Sequence, residues 1–182
     1  LKLNEINYVP LAIMTMIIAM YINVFTSYAQ ETITTIEAVR LSKLAYVDSL
    51  TGLPNRYALY EAFQDMHEDK IVDYVMVFMD VNDLKKTNDV HGHEKGDELL
   101  SDVSEAIVST FPNDNKNGIV GRWGGDEFIA CIFGEENKAD EFIEEFKRKI
   151  AETSHTVSIG KAVSTAKEPK DPSVAVAESD YL

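Results

Sequence analysis

The order of apolar and polar positions divides the chain at about residue 48. No charged side chain occurs between Glu5 and Glu31, and within that gap the stretch from Val9 to Phe25 is almost wholly apolar. A helix of roughly 17–25 such residues crosses the hydrocarbon core of a bilayer. We therefore predict a transmembrane segment with its flanks at residues 1–30.

Two other interpretations of this apolar segment remain open. One is a buried helix of a soluble protein, and the other is a signal peptide, because Ser27-Tyr28-Ala29 resembles a cleavage site. The region before the apolar stretch offers a signal peptide only Lys2, which Glu5 offsets. Arg40 and Lys43 follow the stretch and favour a cytoplasmic position for the C-terminal part.

Residues 31–47 mix polar and apolar positions at near-helical spacing, which predicts a linker helix leaving the membrane. The segment has too few heptads to establish a coiled coil. Pairing with a second copy and an unpaired amphipathic linker therefore remain equal alternatives.

From residue 48 onward the pattern becomes that of an α+β domain. The apolar run from Tyr74 to Met79 ends at Asp80, and so short a β-rich run predicts a central strand covered on both faces. Gly124-Gly125 separates two strand-like runs, which predicts a hairpin because tight turns need positive φ. The predicted elements are helices at 55–66, 96–110 and 138–151 and strands at 74–79, 119–123, 127–133 and 156–163. Their order is the βαββαβ pattern of a ferredoxin-like antiparallel sheet with flanking helices.

Composition narrows the classes of function. The 182 residues carry 17 Lys and Arg against 31 Asp and Glu, for a formal net charge of -14. Such a surface repels phosphate backbones, so we expect no nucleic-acid partner. The single cysteine, Cys131, excludes an internal disulfide and a Cys-rich zinc site, and it is expected in the core. The chain also lacks Walker-type and Gly-x-Gly-x-x-Gly loops, which argues against a P-loop kinase or a dinucleotide-binding dehydrogenase.

Two groups of carboxylates carry the candidate chemistry. Asp80 ends the central strand, and Asp126-Glu127 follows directly after the Gly-Gly turn. If the hairpin lies beside the central strand, these carboxylates approach one another and can bind a hard divalent cation such as Mg²⁺. Each group alone is more often a turn residue or a solvated hairpin, so the prediction depends on their convergence. The residues after Asp80 are predicted to form a loop, which holds Asp83, Lys85, Lys86, Asn88 and Asp89.

Five motifs occur in order after the linker. They are Asp48-Ser-Leu-Thr-Gly-Leu-Pro-Asn-Arg56, Asp80-Val-Asn-Asp-Leu-Lys-Lys-Thr-Asn-Asp89, His91-Gly-His-Glu-Lys-Gly-Asp97, Arg122-Trp-Gly-Gly-Asp-Glu-Phe128 and Thr156-Val-Ser-Ile-Gly160. Together they closely resemble the GGDEF family of diguanylate cyclases, and the resemblance extends over residues 48–182. It implies a nucleotidyl-cyclase palm domain that condenses two GTP molecules into cyclic di-GMP with release of two pyrophosphates. The family's reaction is an attack of a 3′-hydroxyl on an α-phosphate, assisted by Mg²⁺ or Mn²⁺.

The resemblance also implies partners, a location and site residues. Each domain of this family holds one GTP, so catalysis requires a homodimer, and the protein is expected in the bacterial inner (cytoplasmic) membrane with its GGDEF domain in the cytoplasm. The residues matched to catalysis are Asp126, Glu127 and Lys85. The residues matched to metal binding are Asp80, Asp126 and, through its carbonyl, Val81. The residues matched to substrate binding are Asn88, His93, Asp97, Gly124 and Gly125, of which Asn88 and Asp97 are the guanine-reading pair.

Some features depart from the family's pattern. Asn115-Lys-Asn-Gly118 replaces the Arg-x-x-Asp of the family's product-inhibition site, so we expect no inhibition through it. Asn82 stands where an Asp is more usual, which reduces the local charge. The family's final helix is expected to begin at about Ser179, with its phosphate-binding Lys and Arg missing from this chain. A catalytically inactive GGDEF module that acts as a GTP-binding sensor or interaction domain is the alternative function.

Two further side chains carry structural expectations. Trp123, beside the turn, is expected to pack within the hairpin, with stacking on a base as the alternative. Arg56 is expected to form a structural salt bridge or to start a helix, with Asp48 as its candidate partner and contact with phosphate as the alternative.

Overall fold

The computed structural model describes residues 9–71, 73–111 and 118–180. The chain separates into two compact units, Leu1–Lys43 and Leu44–Leu182. The stretch expected to lack the product-inhibition site falls at residues 115–117, which lie outside the described residues.

The described part of the first unit is a single long helix. This helix, α1, runs over Val9–Tyr46, and its last three residues, from Leu44, are assigned to the second unit. Its segment Pro10–Ala38 has 29 residues and a mean hydropathy of 1.7, and none of its most apolar stretch is buried within the protein. This helix is long and apolar enough to cross a membrane. A signal sequence near an N-terminus meets the same requirement, so the helix alone is weak support for a membrane anchor.

The second unit contains an antiparallel sheet whose four strands lie in the order β2-β3-β1-β4. Its strands are β1 (Tyr74–Val81), β2 (Gly118–Gly124), β3 (Glu127–Phe133) and β4 (Val157–Ser164). Its helices are α2 (Arg56–Glu68), α3 (Leu84–His91), α4 (His93–Thr110), α5 (Glu136–Ala151) and α6 (Pro172–Asp180). The sequence β1-α4-β2-β3-α5-β4 is the predicted βαββαβ arrangement, so the α+β fold class is confirmed.

The sheet is covered on both faces, as the continuous apolar run of β1 predicts. Alternate residues of β1, such as Val77 and Met79, pack into a core with α4 and α5. The intervening residues, such as Met76 and Phe78, pack into a second core with α2 and α6. Cys131 of β3 is fully buried in this second core, which confirms its expected structural role.

The segment after β1 differs from the prediction, because the expected loop is the helix α3. Six of its eight residues are polar and none is buried, so the sequence lacks the apolar periodicity that predicts a helix. Contacts with α4 hold it instead. Other boundaries also differ from the prediction, most of all the starts of two helices: α4 begins at His93 rather than residue 96, and α6 begins at Pro172 rather than near Ser179.

Asn55 connects the end of α1 to the start of α2. Its backbone N–H donates to Tyr46 O at 2.9 Å, and its Nδ2 donates to Ala45 O at 2.8 Å. On the other side, its Oδ1 accepts from the N–H groups of Tyr57 and Ala58, at 2.9 and 3.2 Å, and so caps α2. One side chain therefore bonds the last residues of one helix and the first turn of the next.

Strand β2 approaches this joint closely at Gly121. The N–H of the next residue, Arg122, donates to Pro54 O at 2.8 Å. A Cβ at position 121 would lie 2.4 Å from the same carbonyl oxygen and 3.0 Å from the side chain of Leu59. The absence of a side chain at Gly121 therefore permits the strand to hydrogen-bond to the turn before α2.

Replacing Gly121 with Ala is expected to destabilise the second unit by about 1–3 kcal/mol, because the new methyl group overlaps backbone that cannot move independently. Urea unfolding measures this loss. The surface change Val174→Ala, at a residue that is 51% exposed, serves as a control and should shift stability by less than about 0.5 kcal/mol. Equal stability of the two variants would contradict the close approach.

Candidate active site

The two groups of carboxylates meet at one end of the sheet. Strand β3 pairs with β1 so that Glu127 lies directly opposite Asp80. One residue further along, the N–H of Val81 donates to Asp126 O at 3.0 Å. The hairpin therefore lies beside the central strand, as the convergence of the carboxylates requires.

The turn itself is shifted by one residue from the prediction. Gly124 is the last residue of β2 and pairs with Glu127, so the two turn residues are Gly125 and Asp126. Gly125 has φ of +53°, in the left-handed region that glycine adopts without strain. A Cβ at either glycine would meet no atom within 4 Å, so the backbone is open to a ligand on this side.

A cavity of about 580 Å³ brings together the predicted metal residues and two of the three predicted catalytic residues, without Glu127 in its lining. Asp80, Val81, Asp126 and Lys85 all line it. The other lining residues are Asn82, Asp83, Leu84, Lys86, Asp89 and Val90. Carboxylates and ammonium groups thus share one open cleft, which suits a ligand made of a cation and a polyphosphate.

The donor set at this cleft fits Mg²⁺ or Mn²⁺ rather than zinc. Two of its carboxylates, from Asp80 and Asp126, belong to the predicted metal residues and line the cleft together with Val81. Mg²⁺ is commonly held by one or two carboxylates while water and substrate phosphates complete its coordination. Across residues 9–71, 73–111 and 118–180, no group of three His, Cys, Asp or Glu side chains is placed to hold a metal.

The residues matched to guanine recognition lie on two neighbouring helices outside that cleft's lining. Asn88 is on α3, while His93 and Asp97 are exposed on α4. Asn88 Oδ1 is buried and has no hydrogen-bond partner among the described residues. Beneath it, a Cβ at Gly96 would lie 2.0 Å from this oxygen. A buried acceptor without a donor is costly, so the arrangement favours a ligand that supplies one.

Arg122 is a residue of the site that the sequence analysis did not single out. Its Nη1 lies 3.0 Å from Asp48 Oδ1, and its Nη2 donates to Gly125 O at 2.6 Å. It stands first in the Arg-Trp-Gly-Gly-Asp-Glu-Phe motif, and that position was the available indication of its importance.

Arg56 is the first residue of α2, which confirms the helix-start alternative, but the salt bridge expected with Asp48 is wrong, because Asp48 pairs with Arg122. The guanidinium carbon of Arg56 lies 4.6 Å from the ring centre of Trp123, and Arg56 Nη2 donates to the Tyr60 hydroxyl at 3.1 Å. The Trp123 ring also lies 5.0 Å from that of Tyr60, so Trp123 has a packing role, although this contact is with α2 and not within the hairpin as expected. Cation–π contact with an aromatic surface explains the position of Arg56 better than a carboxylate does.

Asp48 is held in its ionised form. Its partial burial opposes ionisation, but hydrogen bonds from the N–H and hydroxyl of Thr51, together with Arg122, outweigh that effect. The pKa of Asp48 is therefore lowered from its ordinary value of 3.8.

The model of the family described as diguanylate cyclase, GGDEF domain, matches residues 45–180 of this chain. The chain belongs to the GGDEF-domain diguanylate cyclase family. The matched residues contain the whole sheet, the carboxylate cleft and the Asp48–Arg122 pair of this GGDEF domain.

Two relatives are similar in sequence to this chain over a small part of their own length. Signaling protein YkoW of Bacillus subtilis (strain 168) is 33% identical over 141 residues, covering 72% of this chain and 17% of YkoW. Diguanylate cyclase DgcM of Escherichia coli (strain K12) is 35% identical over 96 residues, covering 51% of this chain and 23% of DgcM. The chain therefore corresponds to less than a quarter of either relative.

Solved structures share the fold. The coiled coil and GGDEF domain of DgcB from Caulobacter crescentus, in complex with c-di-GMP, matches with a TM-score of 0.79. That match has 19% sequence identity and covers 90% of this chain and 91% of the DgcB chain. At so low an identity it supports the fold and no further property. A microbial GGDEF domain studied for its interaction with c-di-GMP matches with a TM-score of 0.66 and 27% identity, over 78% of this chain and 89% of that one.

The lowered pKa of Asp48 predicts an acid dependence of stability. A group whose pKa is lowered on folding stabilises the protein above its unfolded pKa, and this contribution disappears as the pH falls through the folded pKa. The unfolding free energy of the wild type should therefore exceed that of Asp48→Asn by a constant amount from about pH 5 to 7 and converge with it below the ordinary value of 3.8. Denaturant titrations at each pH measure this difference, and a difference that grows on acidification would contradict the assignment.

Proposed function

We propose that this GGDEF domain is a diguanylate cyclase that condenses two GTP molecules into cyclic di-GMP and two pyrophosphates. The observation that carries the proposal is the meeting of Asp80 and Asp126 in one cleft with Lys85. Antiparallel pairing of the central strand with the glycine hairpin produces this meeting.

The metal-binding part of the proposal assigns Mg²⁺ or Mn²⁺ to the carboxylates of Asp80 and Asp126 and to the carbonyl of Val81. When bound, the metal neutralises charge on the α-phosphate and favours ionisation of the attacking hydroxyl. Glu127, opposite Asp80 on the next strand, adds a further acidic oxygen at the same end of the sheet. Hard oxygen ligands of this kind suit both cations.

The chain's own side chains supply charge and proton transfer. Lys85 and Lys86 line the cleft, and their ammonium groups attract a triphosphate that the net charge of -14 would otherwise repel. Asp126 is proposed to take the proton of the 3′-hydroxyl at a carboxylate oxygen. The bare backbone of Gly124 and Gly125 lets the nucleotide approach the turn.

Guanine recognition is assigned to Asn88 and Asp97. Between them, an amide and a carboxylate complement the O6 acceptor and the N1 and N2 donors of guanine. The buried Oδ1 of Asn88 supports this assignment, because a base edge would supply its missing donor. His93, at the start of α4, is the proposed additional nucleotide contact.

The assembly part of the proposal follows from the reaction. Each domain holds one GTP, so two domains must face each other, and α1 provides the segment through which two chains would meet. We place the protein in the bacterial inner membrane through Val9 to Phe25, with the GGDEF domain in the cytoplasm. The apolar composition of Pro10–Ala38 supports this placement.

A GTP-binding sensor without catalysis is the second candidate function. Similarity to proteins named for a different activity favours it, since cyclic di-GMP phosphodiesterase PdeR of Escherichia coli (strain K12) is 42% identical over 95 residues. Asp80, Lys85 and Asp126 favour the cyclase, because a module that only binds nucleotide has no need of this complete set.

Asp126→Asn should lower the rate of cyclic di-GMP formation by about 10²–10⁴-fold, because it removes both a metal ligand and the proposed base. Chromatography of the products formed by the full-length protein from GTP and Mg²⁺ measures this rate. Asp140→Asn, which removes an exposed carboxylate bonded to Lys161, is the matched control and should retain activity. GTP binding by the wild type without any turnover would instead establish the sensor.

Gly96→Ala should raise the KM for GTP by roughly tenfold, because its methyl group displaces the Asn88 amide that faces the base. The rate at saturating GTP should change less, since the cleft around Asp80 stays intact. Ser109→Ala on the same helix, where the hydroxyl donates to Ala106 O, is the control. An unchanged KM in Gly96→Ala would count against the guanine assignment.

A further inference from the structure

We propose that Arg122 is a positioning residue for Asp126 and that Asp48 anchors it. This proposal rests on the proposed cyclase function, in which Asp126 holds the metal and takes a proton. Arg122 itself is not among the residues that line the cleft. Its effect on the reaction would pass through the backbone of the hairpin turn.

The guanidinium group of Arg122 uses all three of its nitrogens. Nε and Nη2 both donate to Gly125 O, at 3.1 and 2.6 Å. Nη1 donates to both carboxylate oxygens of Asp48, at 3.0 and 3.2 Å. The Arg122 and Asp48 side chains are only 14% and 23% exposed, so water competes weakly for these bonds.

These contacts fix the peptide groups on both sides of Asp126. The carbonyl of Gly125 belongs to the peptide that precedes Asp126, and Arg122 holds it. The carbonyl of Asp126 itself accepts from the N–H of Val81 at 3.0 Å. With both neighbouring peptides held, the direction of the Asp126 side chain is restricted toward the cleft that it lines.

The turn needs such a restraint because of its composition. Glycine has the greatest backbone freedom of any residue, and two glycines, Gly124 and Gly125, directly precede Asp126. The open backbone that lets a nucleotide approach would by itself leave Asp126 loosely placed. A misplacement of about 1 Å at a reacting group can cost on the order of 100-fold in rate.

Asp48 is a suitable anchor because it is itself fixed. Its Oδ1 accepts from the N–H and hydroxyl of Thr51, at 2.9 and 2.8 Å. Its backbone N–H donates to Leu53 O at 2.8 Å, and its carbonyl accepts from the N–H of Gly52 at 2.9 Å. The guanidinium group is therefore held at both ends, by a rigid turn and by the hairpin.

The experiment compares Arg122→Lys and Asp48→Asn with the wild type in the full-length protein. Lysine keeps the charge but cannot bond the Gly125 carbonyl and both Asp48 oxygens at once. We expect kcat to fall between about tenfold and 100-fold in Arg122→Lys and less in Asp48→Asn, with the KM for GTP nearly unchanged. Arg148→Lys, which disturbs ion pairs with Glu145 and Glu152 on the surface of α5, is the control.

Two readouts separate positioning from simple destabilisation. Hydrogen exchange in the peptide spanning residues 123–128 should become faster in Arg122→Lys, while exchange in β1 and the melting temperature change little. The double variant Arg122→Lys with Asp48→Asn should have a kcat no lower than that of Arg122→Lys alone, because both changes break the same series of contacts from Asp48 through Arg122 to Gly125. A loss of rate that merely follows the unfolded fraction, or an unchanged kcat, would overturn the proposal.

Failure of the cyclase proposal is distinguishable from failure of this one. A wild type that makes no cyclic di-GMP removes the proposed function, and the exchange measurement then still tests the restraint on the turn. Unchanged exchange at residues 123–128 in Arg122→Lys overturns the positioning role whatever the wild-type activity.

Discussion

The pairing of β1 with β3 is the interaction on which the candidate site depends. Because side chains alternate between the two faces of a strand, a slip of one residue would move Asp80 to the opposite face from Glu127. The apolar residues that follow along both strands prevent such a slip, since it would turn each core-facing side chain to the wrong layer. Packing far from the cleft thus determines which carboxylates meet.

Function and stability oppose one another at this end of the sheet. Asp80 and Glu127 are like charges directly across a strand pair, an arrangement that destabilises a sheet. The buried layers on both faces of the sheet offset this cost. A divalent cation would relieve the repulsion, and a strongly acidic chain that carries two lysines in the same cleft is suited to receive it together with phosphate.

Local patterns were sufficient to predict the sheet but not every part of the site. The apolar run of β1 and the Gly-Gly pair predicted the central strand and its hairpin. The convergence of the carboxylates was predicted because Asp80 ends that strand and Asp126 follows the Gly-Gly pair. Helix α3 was missed because its residues are mostly polar and its support comes from α4. The partner of Asp48 was missed for a different reason: Arg122 is 74 residues away, and nothing in the local spacing distinguishes it from Arg56. Contacts between distant segments depend on the completed fold.

The double role of Asn55 has a consequence for stability. Because its amide group bonds Ala45 on one side and caps α2 on the other, a single substitution at this position would remove hydrogen bonds from both segments at once. The carbonyl of Pro54, the residue before Asn55, accepts from the N–H of Arg122 in the strand that leads into the glycine hairpin, so the same short turn also holds β2.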